Sequence, residues 1–297
     1  MKRSGRTPVP LSSGSPEIVP EFDGPSLVLG PFMTGMSAIV GIGVAEIYAF
    51  FAVFARVGAI VGLLPGFGEQ MIPARVRLVA ALAFAVVVWP IVLASHSPVG
   101  AFASGPGLAP FGLGGLIVTE TAVGLAIGVS VRFFVLALQL AGSMAAQATS
   151  VSQIFGAGAT PDPLPALGNM LTLSGIALAL AADLHLKAAM LIVASYEVMP
   201  FGVFPVAGDL GEWGLSRAAS AFALAFTIAS PFVVASLLYN LALGAINRAM
   251  PQLMVAFIGA PAITAGALFI LFIVAPVALI YWKGRLDEAL AAPFGVF

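Results

Sequence analysis

Of the 297 residues only 8% are Asp, Glu, Lys or Arg, 60% are hydrophobic, and the formal net charge is −1. A soluble domain carries roughly 25% charged residues, so this composition excludes an ordinary water-soluble globule and points to lipid as solvent. Near-neutrality without basic runs argues against a nucleic-acid surface, and the absence of cysteine excludes disulfides, Cys-ligated metals, iron–sulfur clusters and thiol nucleophiles.

In chain order, residues 1–35 come first. They hold Lys2, Arg3, Arg6, Glu17, Glu21 and Asp23 among recurrent prolines, the composition of a disordered tail. The basic start runs into Ser12-Ser13-Gly14-Ser15-Pro16, so the apolar segment a signal peptide needs is missing. Met33 and Met36 stand as alternative start codons.

Six stretches follow with the length and apolarity of membrane spans: Met36–Leu64, Val76–Ala94, Leu116–Ala148, Leu164–Ala182, Ala218–Ile246 and Leu253–Trp282. About 20 apolar residues cross a hydrocarbon core, and helices satisfy their own backbone groups there. The alternation of a lipid-facing β-barrel is absent. Leu186–Tyr196 is apolar but too short to cross alone. Six alternating spans put Arg75, Arg77 and Arg248 on one side, and Lys187, Arg217, Lys283 and Arg285 on the other. Three against four gives no orientation by the positive-inside rule. Either the topology is marginal or these helices do not rest in a bilayer in the ordinary way.

Leu64-Pro65-Gly66-Phe67-Gly68 and Pro98 to Gly115 are breaker-rich turns. The third span carries a stripe of Glu120, Gly124, Gly128, Arg132, Gln139, Ser143 and Gln147. Successive steps of four drift by roughly 40° on a helix, so the stripe winds slowly. Two readings stand. One is helix–helix glue, with small residues allowing close approach; the other is the polar wall of a conduit. The segment 149–163 is long and glycine-rich, nearly uncharged, with Ile154-Phe155 at its tip. It reads either as an interfacial loop dipping into headgroups or as a loop held inside a cavity or pore. The last two spans form a hairpin with its turn at Asn247 to Gln252, and Pro231, Pro261 and Pro276 are expected to kink its arms.

Catalytic constellations are nearly absent. The sequence has no nucleophile elbow, zinc-protease helix, phosphate loop or dinucleotide fingerprint. Its two histidines, His96 and His185, make no metal motif. Gly128-Val129-Ser130-Val131 with His185 is loosely like a rhomboid protease dyad, but Val131-Arg132 and Leu184-His185-Leu186 depart from both halves of that pattern. His185 is expected at a helix end, with Asp183 and Lys187 pairing across one turn.

The order of motifs resembles the FliR family of flagellar export-gate proteins, relatives of the SctT proteins of injectisomes. The matches begin with Ala49 to Gly58 around Arg56, Leu64 to Gly68, and Ile72-Pro73-Ala74-Arg75-Val76-Arg77. Glu120-x-x-x-Gly124-x-x-x-Gly128, Gln147, Asp162-Pro163, His185, Ser195-Tyr196, Pro200 and Gly202 follow. Asn240 to Gly244, Asn247 to Leu253 and Ile258 to Pro261 complete the set. Leu184 stands where the family usually has Gly, Met254 where it often has Asn, the loop before Asp162 is longer, and residues 1–35 have no counterpart.

The resemblance implies an all-α, multi-helix integral membrane protein built of hairpins. A FliP-like part at 36–216 would be fused to a FliQ-like hairpin at 217–297. It implies a non-enzymatic subunit without cofactor, in a ring raised out of the bilayer plane inside the basal body of the bacterial inner membrane. Implied partners are FliP- and FliQ-like subunits, an FlhB-like switch protein and unfolded export substrates. By position, Ile154 and Phe155, with Gly156 and Gly158, would plug the closed pore. The turn with Arg248, Pro251 and Gln252 would meet the switch protein; an ordinary helix-end arginine is the competing reading for Arg248. Rival functions are an injectisome subunit, a small-solute transporter using Glu120 and Arg132, and a rhomboid-like protease using Ser130.

Overall fold

Three helices run one way and their return arms run the other. The computed structural model describes residues 44–69, 71–96, 110–149, 166–250 and 255–292. The regular elements among them are all helices: α1 Val44–Leu63, α2 Ala74–His96, α3 Pro110–Ala148, α4 Ala166–Ala181, α5 Leu184–Val198, α6 Ala207–Ala249 and α7 Val255–Ala291. The expected all-α membrane class is borne out. Five helices are long and apolar enough to cross a hydrocarbon core, or six spans if the bent pair α4–α5 is one.

Side-chain contacts set the directions. Phe50 meets Trp89 and Phe67 meets Phe84, so α2 returns antiparallel to α1. Gly142 abuts Gly168 and Leu138 abuts Gly175, so α4 runs antiparallel to α3. Trp282 Nε1 donates to Phe134 O at 2.8 Å, and Ala145 clusters with Phe232 and Ala267. Helix α6 therefore runs parallel to α3, and α7 returns against both. Helix α3 is the axis: α1, α4, α6 and α7 all pack along it.

The turn after α1 shows why the chain reverses there. Gly66 has φ 81°, the left-handed region that costs a residue with Cβ. The N–H groups of Phe67 and Gly68 donate to Leu64 O at 3.2 and 2.8 Å. Pro73 stands just ahead of α2, and its carbonyl accepts from Val76 and Arg77.

Three expectations are corrected. Leu164–Ala182 was expected to span alone, with Leu186–Tyr196 a short separate piece. Helix α4 has 16 residues and α5 has 15, and they form one leg bent by 76°. The bend sits at Asp183, a non-glycine residue at φ 60°, ψ 38°. Lys187 does not pair with Asp183; its Nζ reaches Asp287 at 2.7 Å, because α7 brings an acid alongside. The last two helices also exceed their apolar cores. Helix α6 begins at Ala207, with exposed Asp209 and Glu212 in its first turns, and α7 runs on to Ala291. Charges that end a hydropathy window do not end a helix, and here Lys283–Asp287 and Arg285–Glu288 pair along α7. Helix α6 is unbroken through 216/217 and through Pro231, and α7 through Pro276.

Large apolar side chains cover much of the outside. Helix α2 turns Ala81, Ala85, Val88 and Val92 inward and leaves Val79, Leu82, Val86 and Val87 exposed. Helix α7 exposes Phe269, Phe272, Val277 and Ile280. In water such patches would drive aggregation; against lipid or other helices they are at home.

Candidate functional site

Two lone charges meet at the centre of the α1–α3 interface. Arg56 is the only charged residue between Glu46 and Glu69, and Glu120 the only acid between Glu69 and Asp162. Both side chains are fully buried. Arg56 Nε donates to Glu120 Oε2 at 2.7 Å and Nη2 donates to Oε1 at 3.2 Å, the two-pronged geometry that planar guanidinium and carboxylate favour. Burying either charge alone would cost several kcal/mol, so the fold surrounds the pair with further polar groups. Arg56 Nη1 donates to Ser195 Oγ at 3.2 Å and to Met199 O at 3.0 Å. The Gly202 N–H donates to Glu120 Oε1 at 2.8 Å. The guanidinium carbon also lies 3.8 Å from the centroid of the Tyr196 ring, a cation–π contact, and Phe201 stacks on that ring at 6.4 Å.

The polar environment is directional. The end of α5 offers a carbonyl to the arginine, and the turn after it offers an N–H to the glutamate. Gly202 has φ 74°, a conformation open to glycine that aims its N–H at the carboxylate. Three segments far apart in sequence are thereby tied at one point: the middle of α1, the first half of α3 and the end of α5.

A second pair closes the same interface. Arg132 Nη1 reaches Glu69 Oε1 at 2.5 Å and Nη2 reaches Oε2 at 3.3 Å, with both side chains about a quarter exposed. Between the pairs, the added Cβ of an alanine at Gly124 would lie 2.5 Å from Arg56 O and 2.9 Å from Ala59 Cβ. At Gly128 it would lie 3.0 Å from Leu63 Cβ. The partners of Glu120, Gly124, Gly128 and Arg132 thus advance along α1 in step with them, so α1 and α3 run parallel and in close contact. The sign alternates: positive on α1 at one end, positive on α3 at the other.

The lower stripe behaves differently. Gly142 lies so close to the Gly168 backbone that a side chain at Gly142 would displace the α3–α4 crossing. Gln139 is half-buried there, and its carbonyl accepts from Ser143 Oγ at 2.9 Å. Gln147 is exposed. Ile154, Phe155, Gly156 and Gly158 lie outside the described residues, as do Pro251 and Gln252; Arg248 is exposed at the end of α6.

The rival sites fare poorly. Glu120 pairs with Arg56 and Arg132 with Glu69, so the two do not form a joint site for a small solute. Ser130 is buried and its hydroxyl donates to Ile127 O at 2.7 Å, whereas His185 is exposed in the first turn of α5; the two share no hydrogen bond. No cluster of three or more His, Cys, Asp or Glu that could hold a metal ion occurs among the described residues.

The site residues not singled out by the stripe are Arg56, Glu69, Ser195, Tyr196, Met199, Phe201 and Gly202. Arg56 had a usable signal: a lone cation in one apolar helix and a lone acid in another require each other at membrane depth. The backbone carbonyl of Met199 had none.

Residues 47–289 match the family described as bacterial export proteins, family 1. The flagellar biosynthetic protein FliR of Caulobacter vibrioides is 34% identical over 249 residues, covering 82% of this chain and 95% of that protein. The flagellar biosynthetic protein FliR of Escherichia coli is 28% identical over 214 residues, covering 71% of this chain and 78% of that protein. That of Pectobacterium carotovorum is 25% identical over 217 residues.

Proposed function

The chain belongs to the bacterial export proteins, family 1, and we propose on that footing that it is a non-enzymatic core subunit of the flagellar type III protein export gate in the bacterial inner membrane. The observation that carries this reading is the extent of the match: residues 47–289 run from the start of α1 to the end of α7. The helical bundle as a whole is therefore the unit shared with the flagellar relatives. Their names favour a flagellar over an injectisome role.

In this reading the chain assembles with FliP- and FliQ-like subunits around a pore for unfolded substrates, and an FlhB-like protein meets the turn at Arg248, Pro251 and Gln252. Residues 36–216 act as the FliP-like part and 217–297 as the FliQ-like hairpin, joined through the unbroken α6. The segment 149–163 seals the pore at rest. Ile154 and Phe155 exclude water and ions, while Gly156 and Gly158 let the segment swing aside. Exposed Gln147, two residues before the segment, faces the lumen or a neighbouring subunit. The buried pair Arg56–Glu120 and the half-buried pair Glu69–Arg132 keep α1 and α3 rigid, so that movement is confined to the loop.

The experiment is a conductance measurement on the gate assembled with its FliP- and FliQ-like partners. Deletion of residues 153–158 is expected to leave assembly intact and to open an ion leak across the membrane. An assembled gate that stays electrically tight without those residues would overturn the plug assignment. Failure of the chain to co-purify with such partners would overturn the gate assignment itself.

A further inference from the structure

A cavity of about 30 Å³ opens where α3, α6 and α7 meet. One face of α6 supplies Arg217, Ser220, Ala221 and Leu224, spaced i, i+3, i+4, i+7. Helix α3 supplies Ser130 with Phe133 and Phe134, and α7 supplies Arg285. The Trp282 hydrogen bond to Phe134 O fixes α7 one turn before Arg285, which sets the arginine toward the cavity. Arg217 is 5% exposed, so its guanidinium is held inside the bundle, and its carbon lies 5.5 Å from the Trp213 ring centroid.

The surroundings are rich in charge. Arg285 pairs with Glu288 at 2.6 Å, and Lys187 and Lys283 share the single carboxylate of Asp287 at 2.7 and 2.6 Å. Arg217 adds a fourth cation from α6, whose first turns carry Asp209 and Glu212. The Arg132–Glu69 pair lies at the same level of α3. This level is where charge surrounds the bundle, whereas apolar residues predominate along α6 after Arg217 and along α7 before Lys283.

We propose that this cavity is a binding site for a phosphate oxyanion, held between the Arg217 and Arg285 guanidinium groups with Ser220 as a further polar partner. Two guanidinium groups from different helices are the geometry that grips a tetrahedral oxyanion by paired hydrogen bonds. A cavity needs about 10–15 Å³ to take one water, so this one admits two or three oxygens of a phosphate while the rest of the ligand lies outside. The walls of Phe133, Phe134, Ala221 and Leu224 are apolar, and α6 and α7 expose Phe222, Phe226 and Ile280 beyond them. These features suit an anionic phospholipid whose headgroup enters the cavity and whose chains lie along the apolar helices. A free phosphate offers the same oxygens. The inference does not depend on the export role.

The test is thermal unfolding of the purified full chain in neutral detergent, titrated separately with phosphatidylglycerol, phosphatidylcholine and inorganic phosphate. Phosphatidylglycerol is expected to raise the midpoint, and phosphatidylcholine to have at least tenfold weaker effect. Arg285→Gln, whose pair with Glu288 is half-exposed and local, is expected to fold normally and to raise the half-saturating concentration of phosphatidylglycerol about tenfold. Arg217→Gln, if it folds, should do the same. Stabilisation by phosphate alone, lost in Arg285→Gln, identifies free phosphate as the ligand and keeps the site. Stabilisation equal for the two lipids without any phosphate effect, or Arg285→Gln titrating like the unaltered chain, would overturn it.

Discussion

Arg56→Ala would strand the fully buried Glu120 carboxylate without its counter-ion, and breaking a buried pair this way costs about 3–5 kcal/mol. The thermal midpoint of the detergent-solubilised chain should fall accordingly, and Glu120→Ala should behave alike. The charge-swapped double variant Arg56→Glu with Glu120→Arg gives a sharper expectation: it should fail to recover the lost stability. A glutamate at 56 would face the Met199 carbonyl and an arginine at 120 the Gly202 N–H, both of the wrong polarity. Recovery to near the original midpoint would show that only the pair matters and its backbone surroundings do not. Asp183 offers the opposite sign. It holds a left-handed conformation at the α4–α5 bend, which costs an L-residue roughly 1–2 kcal/mol. Asp183→Gly should therefore raise the midpoint, by up to about 1 kcal/mol of stability; a drop would mean that the aspartate side chain supports the bend. Glu120 was legible in the sequence as a charge needing a partner; that Arg56 answers it, and which backbone groups finish the site, was not.

At the scale of elements, the glycines of α1 and α3 look alike in sequence and differ in the fold. Gly58 on α1 has no neighbour within 4 Å of an added Cβ, whereas at Gly124 the Arg56 carbonyl would be 2.5 Å away. Gly58→Ala should stabilise α1 by up to about 1 kcal/mol through helix propensity. Gly124→Ala should instead push α1 from α3 and cost about 1–3 kcal/mol. Unfolding midpoints of the two variants decide; equal midpoints would refute the close crossing. The Glu120-x-x-x-Gly124-x-x-x-Gly128 spacing was readable as a close-packing face. Its partner was not, because a spacing names a face and leaves open which of several apolar helices covers it. The α4–α5 leg shows the same limit from another side. Each half is too short to cross a bilayer, and only the bend at Asp183 makes them one return arm.

At the scale of the whole molecule, length is the informative quantity. Helix α3 has 39 residues and α6 has 43, which at ~1.5 Å per residue gives roughly 58 and 64 Å. A hydrocarbon core is about 30 Å thick, so these helices tilt strongly or extend well beyond it, in keeping with the missing positive-inside signal. The apolar side of α7 is the face we expect partner helices to cover. The chain contains no native cysteine, so Phe272→Cys, at a position 81% exposed, gives a single thiol probe. A lipid-soluble maleimide should label it in the isolated chain, and assembly with FliP- and FliQ-like subunits should protect it. Labelling unchanged by assembly would place that face against lipid and count against the ring contact.

The sequence by itself determined the class and the solvent. With 8% charged residues the chain cannot cover itself in water, and long apolar runs in lipid must be helical because no other open structure satisfies their backbone. It also singled out Glu120 and Arg132 as charges too costly to leave alone. Only the tertiary structure decided that Glu120 answers to Arg56 and Arg132 to Glu69, that α4 and α5 are one leg, and that Arg217 and Arg285 converge on a cavity. The reason is physical. Burial cost and helical hydrogen bonding are local properties, summed along the chain, whereas a partner is set by how helices distant in sequence cross. Those crossings depend on contacts such as Gly124 against Arg56 and Gly142 against Gly168, each of which involves two residues that no single stretch of sequence contains.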